Sequence, residues 1–502
     1  MVLIGSIDQG TSSTRFFIFE SDTAQVLFHH QIELKQSFPH NGWVEMDPKE
    51  LLSTTQECIE VTCKKLVESG KSLSDVKAVG VTNQRETSIV WDKVTGEPLF
   101  NAIVWLDART ADLAEQLTKK TPNNNKDHFR SIAGLPIHPY FSALKVKWMI
   151  DNVPEVKNAV DQDRALFGNV DSWLIWKLTG GTHVTDVSNA SRTLLFDIAK
   201  RQWSAELCDF FGVPMGILPK ICSSAEVYGS IKDGALKDVV ISGCLGDQQS
   251  ALVGQNCVAA GMAKNTYGTG AFMLCNTGTD MIVSKSGLLT TVAFQLGAEE
   301  PVFYALEGSG SIGGTVVRWL RDNLGIINAS DDVESLAQLV DTTSGVYFVP
   351  CFTGLYTPYW DPKARGTICG LTQFTTKEHI VRAALEASCF QTREMLDAIQ
   401  QDFGKKLQLL KVDGGMTKNA LLMQMQADIL GFDVVRANMP EVTGWGAAVA
   451  AAIGIGALKV SDYCNRSDTS AQVFHSTSEQ HTREEKLKQW KNAVQRSLAW
   501  AT

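Results

Sequence analysis

A hairpin pattern occurs twice in this chain. GSIDQGTSSTRFFIF (5–19) and KNTYGTGAFMLC (264–275) each set a Gly-Thr turn between two apolar strands. The chain has 502 residues, and a single hydrophobic core stops growing at roughly 250 to 300. A repeated unit in so long a chain predicts two related halves, 1–251 and 252–502, one built around each hairpin. A tight turn between strands leaves several backbone N–H groups pointing into the bend, a concavity suited to a phosphate. If the halves face each other, the two turns meet at one cleft. Short apolar runs such as VGVTNQ (79–84) and VVISGCLGD (239–247) alternate with stretches of helical period such as 379–404, where Ile380, Ala384, Ala387, Cys389 and Met395 fall mostly on one face. The fold class is therefore α/β, with mixed sheets covered by helices.

Hydrophobic residues make up 44% and charged residues 20%, a folded composition that excludes a disordered or fibrous chain. The net charge of -9 gives no global positive field, so no nucleic-acid partner is expected and any anionic ligand must be held by local donors. The eleven cysteines include no C-x-x-C pair and the nine histidines no ligand spacing. Neither a disulfide framework nor a zinc site is expected, and reduced thiols point to a cytoplasmic protein. His29-His30 lies in an alternating segment and reads as a solvated strand edge. Met1 to Gly5 lacks a basic leader and a cleavage site and runs straight into Asp8, so it reads as a strand. Gly444 to Leu458 is the most hydrophobic stretch, but it falls short of the roughly 20 residues that a membrane span needs. Its Gly and Ala content predicts a buried, closely packed helix and no transmembrane segment. REEKLKQWKNAVQRSLAW (483–500), with Leu487, Trp490, Val494 and Leu498 at helical spacing, reads as a helix docked on one domain.

Four segments carry chemistry. In DQGTSSTR (8–15), Gly10 permits the tight turn, the hydroxyls and amides suit phosphate oxygens, and Asp8 can hold Mg²⁺ through water; as a lone pattern it is also an ordinary hairpin. NQRET (83–87) ends a strand and puts Arg85 beside Glu86, donors and an acceptor suited to a neutral polyol or, equally, a surface ion pair. GDQQ (246–249) follows an apolar run and places Asp247 at a strand end, where a carboxylate can take the proton of an attacking hydroxyl or simply cap a helix. VDGGMTKN (412–419) stands between the strand LQLLKV and the helical NALLMQMQADIL. Its paired glycines let a base and ribose approach the backbone, and the helix start favours phosphates.

GSGSIG (308–313) matches the dinucleotide fingerprint G-x-G-x-x-G, follows the strand VFYALE and opens a helix. The helix TVVRWLRDNLG then leads to the polar NASDDVESLAQLV instead of a strand ending in an acid. The glycines therefore read as a close-packed helix start and not as a dehydrogenase site. No Walker A pattern, G-x-x-x-x-G-K-[ST], occurs anywhere, which excludes a P-loop kinase.

The four segments in this order, with YFSALKVKWMIDN (140–152) and GTICGL (366–371) followed by HIVRAALE (379–386), resemble the FGGY family of carbohydrate kinases over essentially the whole chain. SIDQGTSSTR, TNQRETSIVWD, GDQQSALVGQ, AKNTYGTG, PYWDPKARG and VDGGMTKN are similar to the family's glycerol-phosphorylating members in particular. The resemblance implies two ribonuclease-H-like domains of the actin, hexokinase and heat-shock ATPase superfamily, with an interdomain cleft. It implies glycerol held by Arg85, Glu86, Tyr140, Asp247 and Gln248, with Trp105 and Phe272 against its carbon chain. ATP is implied at Thr11, Ser12, Ser13 and Arg15 on the first turn and at Gly268 and Thr269 on the second, with Gly314, Arg318, Gly415 and Asn419 further along. Asp247 is the implied catalytic base, Mg²⁺ lies near Asp8 and Asp247, and the assembly is a homodimer or homotetramer. In bacterial members a Gly-Arg loop before the GDQQ strand binds fructose 1,6-bisphosphate; the stretch Ser230 to Val239 here has no arginine, so that regulation is not implied. Arg318 stands where bacterial relatives often have Gln, and Gly444-Trp445 replaces a small residue and Leu. The rival readings are a family member acting on a pentulose or sugar acid, and a non-catalytic actin-like protein that works by assembly.

Overall fold

The computed structural model describes residues 2–310, 312–466 and 471–501. In the first half the strands β1 (Leu3–Gln9), β2 (Ser13–Glu20), β3 (Val26–Glu33), β4 (Val76–Asn83), β5 (Gly229–Ser230) and β6 (Val240–Gly246) form one sheet, ordered β5-β6-β4-β1-β2-β3. β1 pairs antiparallel with β2 and parallel with β4, and all seven of its residues are buried, as befits a central strand. β3 is the edge strand, with His29 exposed and His30 half-buried, which is the solvated edge expected of that pair. Helix α1 (Pro48–Glu68) covers the sheet; Asp47 caps it by accepting from the Lys49 N–H, and Pro48 starts its first turn. Between β4 and β5 the chain builds an inserted layer with its own apolar cluster, which includes Phe129, Phe141, Leu144 and Phe211.

The second half repeats the plan. Helix α2 (Asp247–Gly254) leads to strands β7 (Ala263–Tyr267), β8 (Ala271–Gly278), β9 (Leu289–Phe294), β10 (Phe303–Gly310), β11 (Leu409–Asp413), β12 (Asp433–Arg436) and β13 (Gln472–Phe474), ordered β9-β10-β8-β7-β11-β12-β13. β7 pairs antiparallel with β8 and parallel with β11, as β1 does with β2 and β4. The echo in the sequence is thus an echo in topology: a hairpin at the centre of each sheet, flanked by a parallel strand. Helix α3 (Lys377–Phe403) crosses this sheet, opened by a Thr376–His379 capping box and closed by Gly404 at φ 71°. Helix α4 (Ala420–Leu430) follows β11.

A helix crosses between the halves. α5 (Val442–Gly454) belongs in sequence to the second half, yet it lies on β1, β4 and β6 of the first and against α2. Glycines make this close approach possible: a Cβ on Gly80 would lie 2.1 Å from the Ala447 carbonyl oxygen, and one on Gly446 would lie 1.9 Å from that of Ser250. Ser6, Ser242 and Ser250 hydroxyls donate to carbonyls of α5 at 2.7, 2.9 and 2.7 Å. The apolar run is therefore a buried helix over its first part, as its composition predicts, but the helix ends at Gly454, and Gly456 and Ala457 are exposed. The last helix, α6 (Gln480–Ser497), docks on the second core with Trp490 stacked on Phe390 at 5.2 Å. Leu498 ends that helix and is only half-buried.

One expectation needs correction. Gly308 and Gly310 do not open a helix; they lie inside β10, and the next helix starts at Thr315. Packing drives the strand onward, since a Cβ on Gly308 would meet Met395 at 2.9 Å and Ala271 pairs with Gly310. Ser311 of that motif lies outside the described residues. All eleven cysteines are free thiols, and among the described residues no helix is long and apolar enough to cross a membrane.

Candidate active site

The C-terminal ends of β1, β4 and β6 converge with the β7–β8 hairpin. Trp105 joins Thr11 of the first Gly-Thr turn to Phe272 of the hairpin that carries the second, and Arg85 joins Asp247 to Glu307.

Arg85 follows β4 and is 3% exposed. Its guanidinium is held on three sides. Nη1 and Nη2 donate to the two oxygens of Glu307, each at 2.8 Å, Nη1 also reaches Gln249 Oε1 at 3.3 Å, and Nε pairs with Asp247 Oδ1 at 3.2 Å. Glu86 takes the left-handed φ of 57°, which sends its carboxylate away from Arg85's main partner and onto Arg192, whose Nε donates at 2.6 Å. Arg192 Nη1 completes the ring by donating to Glu307 at 3.2 Å. Burial raises the Glu86 carboxyl above its ordinary range, opposed by Arg192 and Arg85. Burial would raise Glu307 too, but the charges of Arg192 and Arg85 hold it at about 2.

Asp247 is the first residue of α2, after Gly246 as N-cap. Its Oδ1 accepts from the Gln248 N–H at 2.7 Å, and its side chain is 28% exposed where Arg85 and Glu307 are sealed. Burial raises its pKa, with Arg85 and Lys264 opposing. Asp8 ends β1; burial pushes its carboxyl up to about 6, Arg15 opposes this, and the charges of Glu441 and Asp247 add to it. Arg15 Nη1 pairs with Asp8 at 3.4 Å and lies 3.8 Å from Glu441.

Trp105 forms an apolar wall with Tyr140 at 5.5 Å and Phe272 at 5.9 Å. Its indole N–H donates to Thr11 Oγ1 at 2.9 Å, which ties the wall to the first turn. That turn closes with Gly10 N–H on the Ser13 carbonyl at 3.0 Å and leaves Ser12 exposed. The second turn is clamped to a helix start: the Gly314 N–H donates to the Gly268 carbonyl and the Gly313 N–H to that of Thr269, both at 2.8 Å. Beside it opens a cleft of about 490 Å³ lined by Tyr267, Gly268, Thr269, Gly314, Arg318, Gly415 and Asn419, among others. Every nucleotide residue expected in the second half borders this one space. Asn419 caps α4 by accepting from the Leu422 N–H; its buried Nδ2 finds no partner among the described residues. Gly414 has φ 93°, and a Cβ there would meet the Tyr267 backbone at 2.5 Å.

Glu307, Arg192, Gln249 and Lys264 were not foreseen. For Glu307 the signal in the sequence is a charge at the end of the apolar run VFYALE, with no spacing to connect it to Arg85, and Gln249 and Lys264 stand in the segments GDQQ and AKNTYGTG.

A probable glycerol kinase of Caenorhabditis elegans is 58% identical over 503 residues, covering 100% of both chains. The crystal structure of Plasmodium falciparum glycerol kinase with ADP is similar at a TM-score of 0.90 and 39% identity, covering 99% of this chain and 98% of that one. A ligand-bound xylulose kinase of Lactobacillus acidophilus shares the fold at a TM-score of 0.85 with 20% identity, over 99% and 97% of the two chains. Residues 3–254 match the N-terminal domain of the FGGY family of carbohydrate kinases and residues 263–455 its C-terminal domain, so the chain belongs to that family.

Proposed function

We propose that this protein transfers the γ-phosphoryl group of ATP to a terminal hydroxyl of glycerol, giving sn-glycerol 3-phosphate, the first step of glycerol use. The observation that carries the reading is Asp247: a partly exposed carboxylate at a helix start, beside Arg85 and near enough to Asp8, at the first Gly-Thr turn, for its charge to act there. Asp247 takes the hydroxyl proton as that oxygen bonds to the γ-phosphorus and the bond to ADP breaks. Glycerol has three hydroxyls and no charge, so it is gripped by Arg85, Glu86, Tyr140, Asp247 and Gln248 against Trp105 and Phe272. An analogue lacking a hydroxyl leaves one of these buried groups unpaired, which is the basis of selectivity. Thr11, Ser12, Ser13, Arg15, Gly268 and Thr269 meet the phosphates; Gly314, Arg318, Gly415 and Asn419 meet the nucleoside. The similarity to the glycerol kinases named above, one of them seen with ADP, supports this substrate pair.

Asp8, raised by burial with the charges of Glu441 and Asp247 adding to it, and Asp247 offer the hard oxygen donors Mg²⁺ prefers, and a divalent cation held by the two would offset that penalty. Bound there, Mg²⁺ would neutralise charge on the phosphate oxygens. The halves 1–251 and 252–502 close to exclude water, which would otherwise accept the phosphoryl group. A cytoplasmic homodimer or homotetramer completes the reading, supported by the eleven free thiols and by kinship. The test is incubation with Mg-ATP and a panel of polyols, pentuloses and sugar acids, with ADP measured. Faster turnover on a pentulose than on glycerol would refute the substrate, and ATP-dependent filaments without glycerol-dependent turnover would favour the assembly reading.

A further inference from the structure

Lys264 lies on β7, is 0% exposed, and is absent from every role assigned above. A fully buried ammonium is costly unless it is paired and hydrogen-bonded. Its Nζ donates to Gln248 Oε1 and to Thr266 Oγ1, the latter at 2.8 Å. It thus bridges the GDQQ segment of the first half and the strand that runs into the second phosphate turn. The charges facing it are Asp413 from β11, Asp247 from α2, Arg85 from the loop after β4 and Glu307 from β10.

An ammonium donates three hydrogen bonds and accepts none. The Gln248 atom against it must be the carbonyl oxygen, so the amide NH₂ is turned the other way. We propose that Lys264 is the positioning residue that fixes Gln248 as a hydrogen-bond donor to a polyol oxygen. The assignment rests on the reading of Gln248 as a polyol ligand. It gives the two neighbours opposite duties: Asp247 accepts from the substrate and Gln248 donates to it. Without Lys264 the amide can flip and oppose its oxygen to the hydroxyl lone pair.

The test uses the full chain as wild type, Lys264→Met, Gln248→Ala and the double variant, with kcat and KM measured for glycerol and for Mg-ATP. Each single change should raise the glycerol KM about 10- to 100-fold, the range for one buried group left unpaired, while the KM for Mg-ATP stays within about twofold. The double variant should be no worse than Gln248→Ala alone by more than about threefold, because Lys264 acts through Gln248. Multiplying losses, or a wild-type glycerol KM in Lys264→Met, would overturn the assignment. Should Lys264→Met not fold, Gln248→Glu decides: its carboxylate still meets Lys264 but offers no N–H, so its glycerol KM must rise as in Gln248→Ala, and an unchanged KM refutes the proposal. A wild type idle on glycerol removes the polyol reading and this assignment with it; an active wild type with unaffected variants removes this assignment alone.

Discussion

Glu307→Gln tests the buried charge ring that joins the two halves. Both oxygens of Glu307 are engaged, by Arg85 at 2.8 and 2.8 Å and by Arg192 at 3.2 Å, and the residue is 0% exposed. Glutamine keeps the shape and one acceptor, but it turns an NH₂ donor against a guanidinium donor and removes the charge that faces both arginines. Breaking a buried ion pair on one side costs about 3 to 5 kcal/mol. Glu86 and Asp247 remain to share the two cations, which argues for the lower end, about 3 kcal/mol. Glu307 has its folded pKa lowered, from 4.5 to about 2, so its contribution is fully present above pH 4.5 and lost as pH falls toward 2. The gap between wild type and variant in urea unfolding should therefore be constant from about pH 6 to 8. The variant should also turn over more slowly, because Arg85, freed from Glu307, falls back on Asp247 and occupies the base. A loss below about 1 kcal/mol together with unchanged kcat would refute the reasoning.

Asp247→Asn should lower kcat at least about 10²-fold, with glycerol affinity in equilibrium binding largely kept; wild-type turnover would remove Asp247 as the base. Asp171 is buried behind the site, with Oδ2 accepting from Thr185 at 2.6 Å, and burial raises its carboxyl to about 7. A folded pKa raised above the unfolded one means that stability falls as pH rises between about 4 and 7, by about 1.4 kcal/mol per unit. Asp171→Asn should lack that decline and gain on the wild type across the window; parallel urea profiles would count against it. Gly446→Ala drives a methyl into the Ser250 carbonyl 1.9 Å away and should cost about 3 kcal/mol or more, read as a lower Tm; an unchanged Tm would show that α2 and α5 separate freely.

What was legible in the sequence was local. The duplicated hairpins survive as identical strand pairings because a Gly-Thr turn between apolar runs defines its own neighbours. Asp247 at a strand end and the paired glycines before Asn419 were readable for the same reason. The places where the reading stopped are all long-range. That the helical part of 444–458 is buried follows from its composition, but that it rests on the other half's sheet depends on Gly80 and Gly243, residues with no sequence relation to it. Glu307 meets Arg85 across 222 residues, and a lone charge in an apolar strand does not announce its partner. Gly308 and Gly310 depart from the reading for the converse reason: their spacing suits a helix start, while the Met395 side chain against Gly308 and the pairing of Gly310 with Ala271 keep them in a strand.

Three carboxylates share the centre of this site, and their surroundings decide which can act as a base. Glu307 accepts three charged N–H donors and is held at about 2, so it does not take a proton near neutral pH. Glu86 is raised by burial but is locked at 2.6 Å on Arg192 and is 1% exposed, so its free oxygen can orient a hydroxyl and not follow a leaving proton. Asp247 has a single longer contact to Arg85, a raised pKa and the most open side chain of the three. Opposite these carboxylates stand Arg85, Arg192 and Lys264, and Asp413 also faces Lys264, so every charge of the inner cluster meets an opposite one. That pairing allows the cluster to be buried at all. A proton moving onto Asp247 also makes the cluster one charge more positive at the moment the phosphoryl group carries its negative charge past it, which favours the transfer state over the bound one.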